Sequence, residues 1–340
     1  MEYYLQKKKT IKNREMRNFT FKGLFLAVVF IVLGSLSIQA ADGLITKQIT
    51  IKLDEAGTLP NKIGSTKKFQ ITNLKIIGEI NGRDLQMIRE MAGKDVRGND
   101  TDGMLSVLDL SDAKIVEGGG YNINGFYYPT SNDKIGDNAF CDCSGLTSLT
   151  LPSGVTEIGN AAFEGCSGLA SLTLPSGVTK IGDNAFCDCS GLTSLTLPSD
   201  VTEIGNAAFE GCSGLTSLTL PSGVAKIGDY AFHGCSGLTS IYVYAEKLPN
   251  MGNDVFEGCD AKKCTVYVLK GTYDDYWLSE FGYFENIVEF DPTGINNVIT
   301  SNDAKELSRY SLNGQRLSAP SKGLNIVKYS DGSVKKVVVQ

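Results

Sequence analysis

Apolar and polar positions follow a 23-residue period between Ile135 and Tyr244. In each unit, apolar residues spaced L-x-x-L-x-L alternate with Ser and Thr, and Pro, Ser and Gly follow them. This alternation predicts a short strand with one buried face, ended by a turn. A single unit cannot cover its own apolar side, so successive units must stack. We therefore expect a solenoid of 23-residue coils, mainly β with short turns and helical segments, and with a parallel β-sheet on one face.

The L-x-x-L-x-L spacing at this period is the signature of a leucine-rich repeat. Residues 135–180 and 181–226 are identical at all but three positions, so a double coil of 46 residues has been copied within the chain. Changes in the pattern divide the chain into a signal peptide (1–40), an N-terminal cap with two atypical coils (41–134), five regular repeats (135–244), a C-terminal capping repeat (245–290), a linker (291–305) and a small β tail (306–340). The total is about eight coils.

Two residue types recur at the same points of the regular coils and are predicted to form a ladder through the core. They are Phe140, Phe163, Phe186, Phe209, Phe232, Cys143, Cys166, Cys189, Cys212 and Cys235. A buried Cys packs as a small hydrophobe, so we expect free thiols. Neighbouring coils lie near the strand spacing of about 4.8 Å, which leaves disulfides open as the alternative. Cys141 and Cys187 stand where alternate coils have Glu, and we expect them to be exposed.

The two caps are less regular than the array. Asp84 is predicted to cap a short helix that ends near Ala92. Residues 118–133 are rich in Gly, Tyr and Asn, which predicts a loop. In the C-terminal cap, we expect a helix over residues 271–281 and a closing strand over residues 287–290.

The N-terminus has the composition of a Sec signal peptide. Seven basic residues precede an apolar run from Leu24 to Leu33, and small residues follow at Ala40 and Ala41. Cleavage is expected near Ala40, and Met16 is an alternative start. The apolar run is shorter than the roughly 20 residues that span a bilayer, so we expect no transmembrane segment after cleavage.

Charge argues against one class of partner. Residues 1–40 have seven basic and two acidic side chains, so their removal changes the formal net charge from −6 to −11. Residues 135–240 have ten acidic and two basic side chains. Such an array repels phosphate backbones, and nucleic acid is therefore not expected as a partner.

The repeated motif resembles that of a known family. From Ile135 to Tyr244 the chain repeats Leu-Pro-Ser-Gly-Val-Thr-Lys-Ile-Gly-Asp-Asn-Ala-Phe-x-x-Cys-Ser-Gly-Leu. This motif is similar to that of the BspA-like leucine-rich repeat surface proteins, which are common in Bacteroidetes. The run from Cys264 to Phe290 looks like the usual end of that family. The resemblance implies a surface-exposed or secreted protein that binds host proteins, other cells or matrix.

The tail resembles the C-terminal sorting domains of type nine secretion. The matching residues are Tyr310–Leu317, Lys322-Gly323-Leu324 and the final Val-rich strand. An Asn-Gly and an Asp-Gly turn in the tail predict two β-hairpins. The resemblance implies export to the cell surface, with release or association with the outer membrane.

Polar side chains between the inward leucines point out of the predicted sheet and form two rows of hydroxyls that end in a tyrosine. They are Ser148, Thr150, Ser171, Thr173, Ser194, Thr196, Ser217, Thr219 and Tyr242. Solenoids present such faces to partners, so these are the candidate partner-binding residues. An equally simple interpretation is that Ser and Thr are only soluble, strand-compatible residues.

No catalytic or metal site is predicted. His233 is the single histidine and takes a surface position where other coils have Glu or Cys, so no Ser-His-Asp or Cys-His set is expected. Cys141 and Cys143 supply too few ligands for zinc. Aspartates that recur every 46 residues are predicted to be turn or cap residues: Asp137, Asp183 and Asp229. We expect no cofactor and no enzyme activity.

The predicted function is non-catalytic, adhesin-like binding by a protein that is secreted or held at the cell surface. The partner would be a host or microbial surface protein, or matrix. One alternative is a structural spacer of the envelope or surface without a specific ligand. The other is a protein that binds glycans or nutrients, although few aromatic side chains line the regular strands for stacking on sugars.

Overall fold

The computed structural model describes residues 43–292 and, in the tail, residues 306–311, 316–317, 319–320, 322–329 and 334–339. The predicted signal peptide over 1–40, most of the predicted linker over 291–305 and both predicted turns of the tail hairpins lie outside these residues.

Parallel strands stack along the chain as a solenoid, which confirms the predicted fold class. Ten strands of the described residues follow one another on one side, which we call the main sheet. They are Ile49–Lys52, Asn73–Ile80, Val107–Ile115, Ser148–Thr150, Ser171–Thr173, Ser194–Thr196, Ser217–Leu220, Ser240–Val243, Thr265–Leu269 and Asn286–Phe290. The strand ladder is interrupted between the sixth and seventh of them, where the Thr216 amide donates to the Thr193 carbonyl at 3.3 Å.

Short strands on the opposite side of each coil form a second parallel sheet, the back sheet. Its strands are Lys134–Ile135, Glu157–Ile158, Lys180–Ile181, Glu203–Ile204, Lys226–Ile227 and Asn250–Met251. The isoleucines point into the core, and the charged residue before each one lies at the surface. Opposite charges therefore meet between coils, as where Lys226 Nζ lies 2.8 Å from Glu203 Oε1.

A continuous stack of phenylalanine rings fills the space between the sheets. Ring centroids of successive residues from Phe140 to Phe232 are 5.1 to 5.3 Å apart, and the rings are nearly parallel. From the second regular coil onward, the cysteine donates its thiol to the phenylalanine carbonyl of the preceding coil, for example Cys189 to Phe163 at 3.1 Å. Each aromatic pair contributes about 0.5–1.5 kcal/mol beyond burial. Both contacts run between coils, so a coil depends on its neighbours.

Backbone hydrogen bonds also join one coil to the next around the phenylalanine. The Phe140 amide donates to the Ala162 carbonyl at 2.7 Å, and the same bond recurs in the later coils. This close approach requires glycine at one point of the back wall. A Cβ at Gly182 would lie 2.7 Å from the amide nitrogen of Asn160 in the preceding coil.

The N-terminal cap has one more strand than predicted. Ile49–Lys52 pairs in parallel with Asn73–Ile80, so the cap contributes three strands to the main sheet rather than two. The count of about eight coils was too low for this reason. The strand was missed because Ile49 and Ile51 alternate without the leucine spacing of the regular coils.

The cap helix spans Gly82–Met91, and its N-cap is Asn81 rather than the predicted Asp84. Asp84 lies at the third helical position, where its carboxylate accepts from the Asn81 amide at 3.0 Å as half of a capping box. The same carboxylate accepts from the amides of Gly57 and Leu59, at 2.5 and 2.9 Å. The buried Asp84 thus ties the first coil to the helix. A short helix and a 3-10 helix complete this region: Leu59–Lys62 and Lys67–Phe69.

Residues 118–133, which were predicted to be a loop, contain an antiparallel hairpin of Gly120–Ile123 and Phe126–Pro129. The prediction was wrong because the second strand is mostly exposed and shows no apolar alternation. The Asn124-Gly125 pair is the turn signal that would have revealed it, since both residues have the positive φ that such turns require.

The first regular coil has no coil of the same shape before it to donate to its carbonyls, and two buried side chains of the cap do so instead. Arg89, which is 1% exposed, donates Nη1 to three of these carbonyls: Asn138 at 2.9 Å, Ala139 at 3.3 Å and Cys141 at 3.1 Å. Tyr121 donates its hydroxyl to the Asp137 carbonyl at 2.6 Å. In later coils, the carbonyls equivalent to those of Asp137, Ala139 and Cys141 accept amides of the preceding coil.

At the other end, aromatic side chains close the core. A short helix over Tyr273–Trp277 and a 3-10 helix over Glu280–Tyr283 replace the single helix predicted there. Phe281 and Phe284 are buried, with ring centroids 4.9 and 5.2 Å from that of Phe256.

The tail strands form an antiparallel sheet of their own, as two hairpins require. They are Glu306–Ser311, Arg316–Leu317, Gly323–Tyr329 and Val334–Val339.

We expect Arg89→Met to lower the free energy of unfolding by about 2–4 kcal/mol, because it leaves buried carbonyls without donors. The matched control is Arg83→Met, on the same helix but exposed, which should change stability by less than about 0.5 kcal/mol. Unfolding in guanidinium chloride measures both variants. Equal stabilities would show that these carbonyls do not need the guanidinium.

Candidate functional site

The side chains that alternate with the buried leucines form what we call the outer face of the main sheet. Six of the predicted hydroxyls are exposed and lie in two straight rows: Ser148, Ser171 and Ser194 in one, and Thr150, Thr173 and Thr196 in the other. Beyond the interruption in the ladder, Ser217 and Thr219 are half-buried. Thr219 is paired with Tyr242, which is also half-buried.

Hydroxyls of the array fall into two classes. Threonines just before the strands donate to the carbonyl of the preceding coil, as Thr216 does to Thr193 and Thr202 does to Thr179, both at 3.2 Å. These hydroxyls hold coils together. Within the part of the chain that the structure describes, the eight predicted Ser and Thr side chains of the outer face make no hydrogen bond to the protein. These eight hydroxyls therefore take no part in the bonds that hold coils together.

Aromatic rings cover the C-terminal end of the outer face, which we call the aromatic end: Tyr242, Tyr244, Tyr267 and Phe290. The Tyr242 and Tyr267 rings stack with centroids 4.6 Å apart. Phe290 meets the Tyr244 ring edge-on at 5.3 Å. The sequence analysis selected Tyr242 as a site residue but did not place Tyr267 beside it. The alternation in Val266-Tyr267-Val268 could have placed Tyr267 beside it.

Charged residues occupy the N-terminal end of the same face. Lys75 Nζ lies 2.7 Å from Asp112 Oδ2 and 3.0 Å from Asp109 Oδ2. The hydrogen bond to Asp112 is the largest cause that raises the pKa of Lys75, and the hydrogen bond to Asp109 is the second. The outer face thus changes from charged to hydroxyl-rich to aromatic along the solenoid.

All nine cysteines are free thiols, and the five of the predicted ladder are buried. Burial raises the pKa of Cys189 to about 12. Cys141 and Cys187 are half-buried, so the expectation that they are exposed was wrong. Cys187 lies between the glutamates of the two adjacent coils, Glu164 and Glu210. Its pKa is raised to about 12, chiefly by burial and secondly by the negative charge of nearby carboxylates. Thiols in these surroundings are poor nucleophiles.

The recurring aspartates bridge coils rather than only ending turns. Asp137 Oδ1 accepts from the Asn160 amide at 2.8 Å, and Asn160 Oδ1 accepts from the Asp183 amide at 2.9 Å. The pattern continues through the array, with Asp and Asn in alternate coils.

His233 is half-buried, with Nδ1 3.5 Å from Glu210 Oε1 and Nε2 3.9 Å from Glu257 Oε2. In the described segments, no group of three or more His, Cys, Asp or Glu residues is placed to hold a metal ion. Nor does this part of the chain have a helix with the length and apolar character to cross a membrane.

Residues 133–263 match the family of BspA type leucine rich repeat regions, in six copies. No curated protein sequence matches the chain.

Among solved structures, a T. pallidum leucine rich repeat protein is 33% identical over 41% of this chain and 63% of that protein, with a TM-score of 0.37. A leucine-rich repeat protein from Bacteroides ovatus is 20% identical over 73% of each chain, with a TM-score of 0.35. A leucine rich cell surface protein from Faecalibacterium prausnitzii is 23% identical over 65% of this chain and 51% of that protein, with a TM-score of 0.30. The chain thus spans less than two thirds of the first and third of these proteins.

The raised thiol pKa values predict a loss of stability in alkali. The folded chain keeps protons on thiols that the unfolded chain loses above a pKa of 9.0, so this contribution is full below pH 9 and falls as the pH rises toward about 12. We expect the urea midpoint to fall between pH 7 and pH 10. It should fall less in a Cys166→Ala, Cys189→Ala variant, in which tyrosines and lysines titrate as before. Identical pH dependence of the two proteins would contradict this origin.

Proposed function

Because residues 133–263 belong to the BspA type leucine-rich repeat family, we propose that this protein is an exported, non-catalytic binding protein of the cell surface. In this proposal it acts as an adhesin whose outer face contacts a host or microbial surface protein, or matrix. The export step rests on the Sec-type sequence pattern of residues 1–40 and on the resemblance of the tail to type nine sorting domains.

One observation carries the proposal: the eight outer-face hydroxyls, six of them on exposed side chains, have no hydrogen-bond partner within the described protein, whereas neighbouring threonines donate to carbonyls of the preceding coil. Donors and acceptors at a fixed spacing of about 4.8 Å can match the backbone or polar side chains of an extended partner. Because each hydroxyl contributes only about 0.5–1.5 kcal/mol, affinity in this proposal comes from many equivalent contacts.

The aromatic end is proposed to supply the specificity that identical coils lack. Tyrosines are frequent in the energetically dominant parts of interfaces, because they combine a large apolar surface with a polar tip. Tyr242 and Tyr267 each turn one ring face toward the other, which leaves less ring surface for stacking on a sugar. This geometry favours a protein partner over a glycan.

The first test is substitution of the threonine row. We expect Thr150→Lys, Thr173→Lys, Thr196→Lys and Thr219→Lys together to weaken binding to immobilised extracellular matrix proteins at least tenfold, about 1.4 kcal/mol, by placing long cations across the face. The control has the same charge change on another side of the coils, at exposed serines that follow the core cysteines: Ser144→Lys, Ser167→Lys, Ser190→Lys and Ser213→Lys.

Surface plasmon resonance, with the unfolding midpoint measured in parallel, compares the two variants. Equal loss in both would assign the effect to charge rather than to the outer face. Competition by soluble oligosaccharides would instead favour the glycan alternative, and no binding by the wild-type chain would favour a structural spacer.

The second test concerns location. We expect added protease to remove the full-length protein from intact source cells, and a chain lacking residues 294–340 to stay protected inside, because the tail is proposed to direct export. A cytoplasmic protein probed in the same samples controls for lysis. If neither form is accessible, the protein acts within the envelope, and the adhesin proposal fails.

A further inference from the structure

The main sheet has an open edge at each end among the described residues. Ile49–Lys52 pairs only with Asn73–Ile80, and Asn286–Phe290 pairs only with Thr265–Leu269. Strands of this kind can accept a further strand through their unpaired backbone groups.

The direction of the backbone groups follows from the bonds beside each edge. The Leu53 amide donates to the Ile77 carbonyl at 2.8 Å, so alternate residues 49 and 51 also face the inner neighbour, and Thr50 and Lys52 face outward. At the other end, the Lys270 amide donates to the Phe290 carbonyl at 3.1 Å. By the same alternation, the amide and carbonyl groups of residues 287 and 289 face outward.

The two edges are related by the repeat that builds the solenoid itself. Every strand of the main sheet is parallel to its paired neighbours. The first strand of a second copy can therefore follow the last strand of the first copy in the same direction. A contact of this kind joins two different surfaces, so it generates chains of copies rather than closed pairs.

Charge at the two ends is opposite. Residues 43–70 contain five lysines and two acidic residues, whereas residues 271–292 contain six acidic residues and no basic one. Lys47 and Lys52 are exposed at the first end, and Asp275 and Glu285 are exposed at the second. Such complementarity steers the unlike ends together and keeps like ends apart.

Apolar side chains at both edges are only partly covered. Leu44 is 39% exposed and Val288 is 45% exposed. Ile49 and Ile51 at one edge and Ile287 at the other are half-buried, although they point toward the core. Edge pairing would bury these groups together with the unpaired backbone.

We infer that this chain associates head to tail with a second copy of itself, its basic edge strand Ile49–Lys52 pairing in parallel with the acidic edge strand Asn286–Phe290. The outer faces of successive copies then join into one longer surface. This inference does not rest on the adhesin proposal, because it is argued from the two edge strands and not from the outer face. The binding experiments above can be done at concentrations too low for copies to associate.

The test uses the chain from residue 41 to 340, the product expected from signal cleavage, in sedimentation velocity over a range of concentrations. We expect dimers and longer oligomers to form with concentration, and to weaken at least tenfold between 0.05 and 0.5 M salt because screening shortens the reach of exposed charges to less than about 10 Å. Thr50→Pro removes an outward amide that the fold does not use and should abolish association. Thr50→Ala keeps that amide and should leave association unchanged.

Charge reversal tests the pairing of unlike ends. A Lys47→Glu, Lys52→Glu variant, in which residues 43–70 change from a net charge of +3 to −1, should be monomeric. An Asp275→Lys, Glu285→Lys variant, in which residues 271–292 change from −6 to −2, should associate more weakly than the wild type. Their mixture should associate through the unaltered pair of edges. Circular dichroism checks that each variant is folded.

Three results would overturn the inference: a monomer at every concentration, association that Thr50→Pro does not change, or charge-reversed variants that fail to combine. A monomeric full chain that associates after deletion of residues 293–340 would show that the tail of the same chain occupies the acidic edge instead.

Discussion

The bonds that join each coil to the next are the constraint on which this structure depends. Within one coil, a strand of three residues and a back strand of two cannot bury a core. Between coils, the phenylalanine rings stack at 5.1 to 5.3 Å, thiols donate to phenylalanine carbonyls, and Asp and Asn side chains bind neighbouring amides. Stability therefore arises from contacts between neighbours, and a missing neighbour leaves donors and acceptors unpaired.

At both ends of the array one neighbouring coil is missing, and residues of the caps take its place. At the N-terminal side, Arg89 and Tyr121 bring side-chain donors to carbonyls that an earlier coil would otherwise bind. At the C-terminal side, Phe281 and Phe284 cover the last ring of the stack. These groups satisfy the core, but among the described residues the first and last strands of the main sheet each keep one unpaired edge. In the described residues, the caps therefore cover the core of the solenoid but leave the edge strands of its sheet unpaired.

Because the coils are nearly identical, the hydroxyls that join coils and the hydroxyls of the outer face recur at fixed and different positions. Threonine hydroxyls just before the strands donate to carbonyls of the preceding coil, whereas the outer-face hydroxyls make no such bond within the described residues. Repetition can multiply weak contacts on that face, but it cannot distinguish one partner from another. In the proposed function, discrimination comes from where the repeat breaks down, at the Lys75 charge cluster and at the aromatic end.

Periodicity by itself determined the regular part of this protein: the coil length, the parallel sheet, and the inward residues such as Phe186 and Cys189. It could do so because each contact repeats at a constant separation along the chain. Only the tertiary structure decided what happens where the period fails. The Ile49–Lys52 strand, the carbonyls bound by Arg89 and the Phe290 ring beside Tyr242 depend on residues brought together from dissimilar segments. No spacing in the sequence encodes such contacts, because each occurs once and its geometry is set by the coil against which it packs.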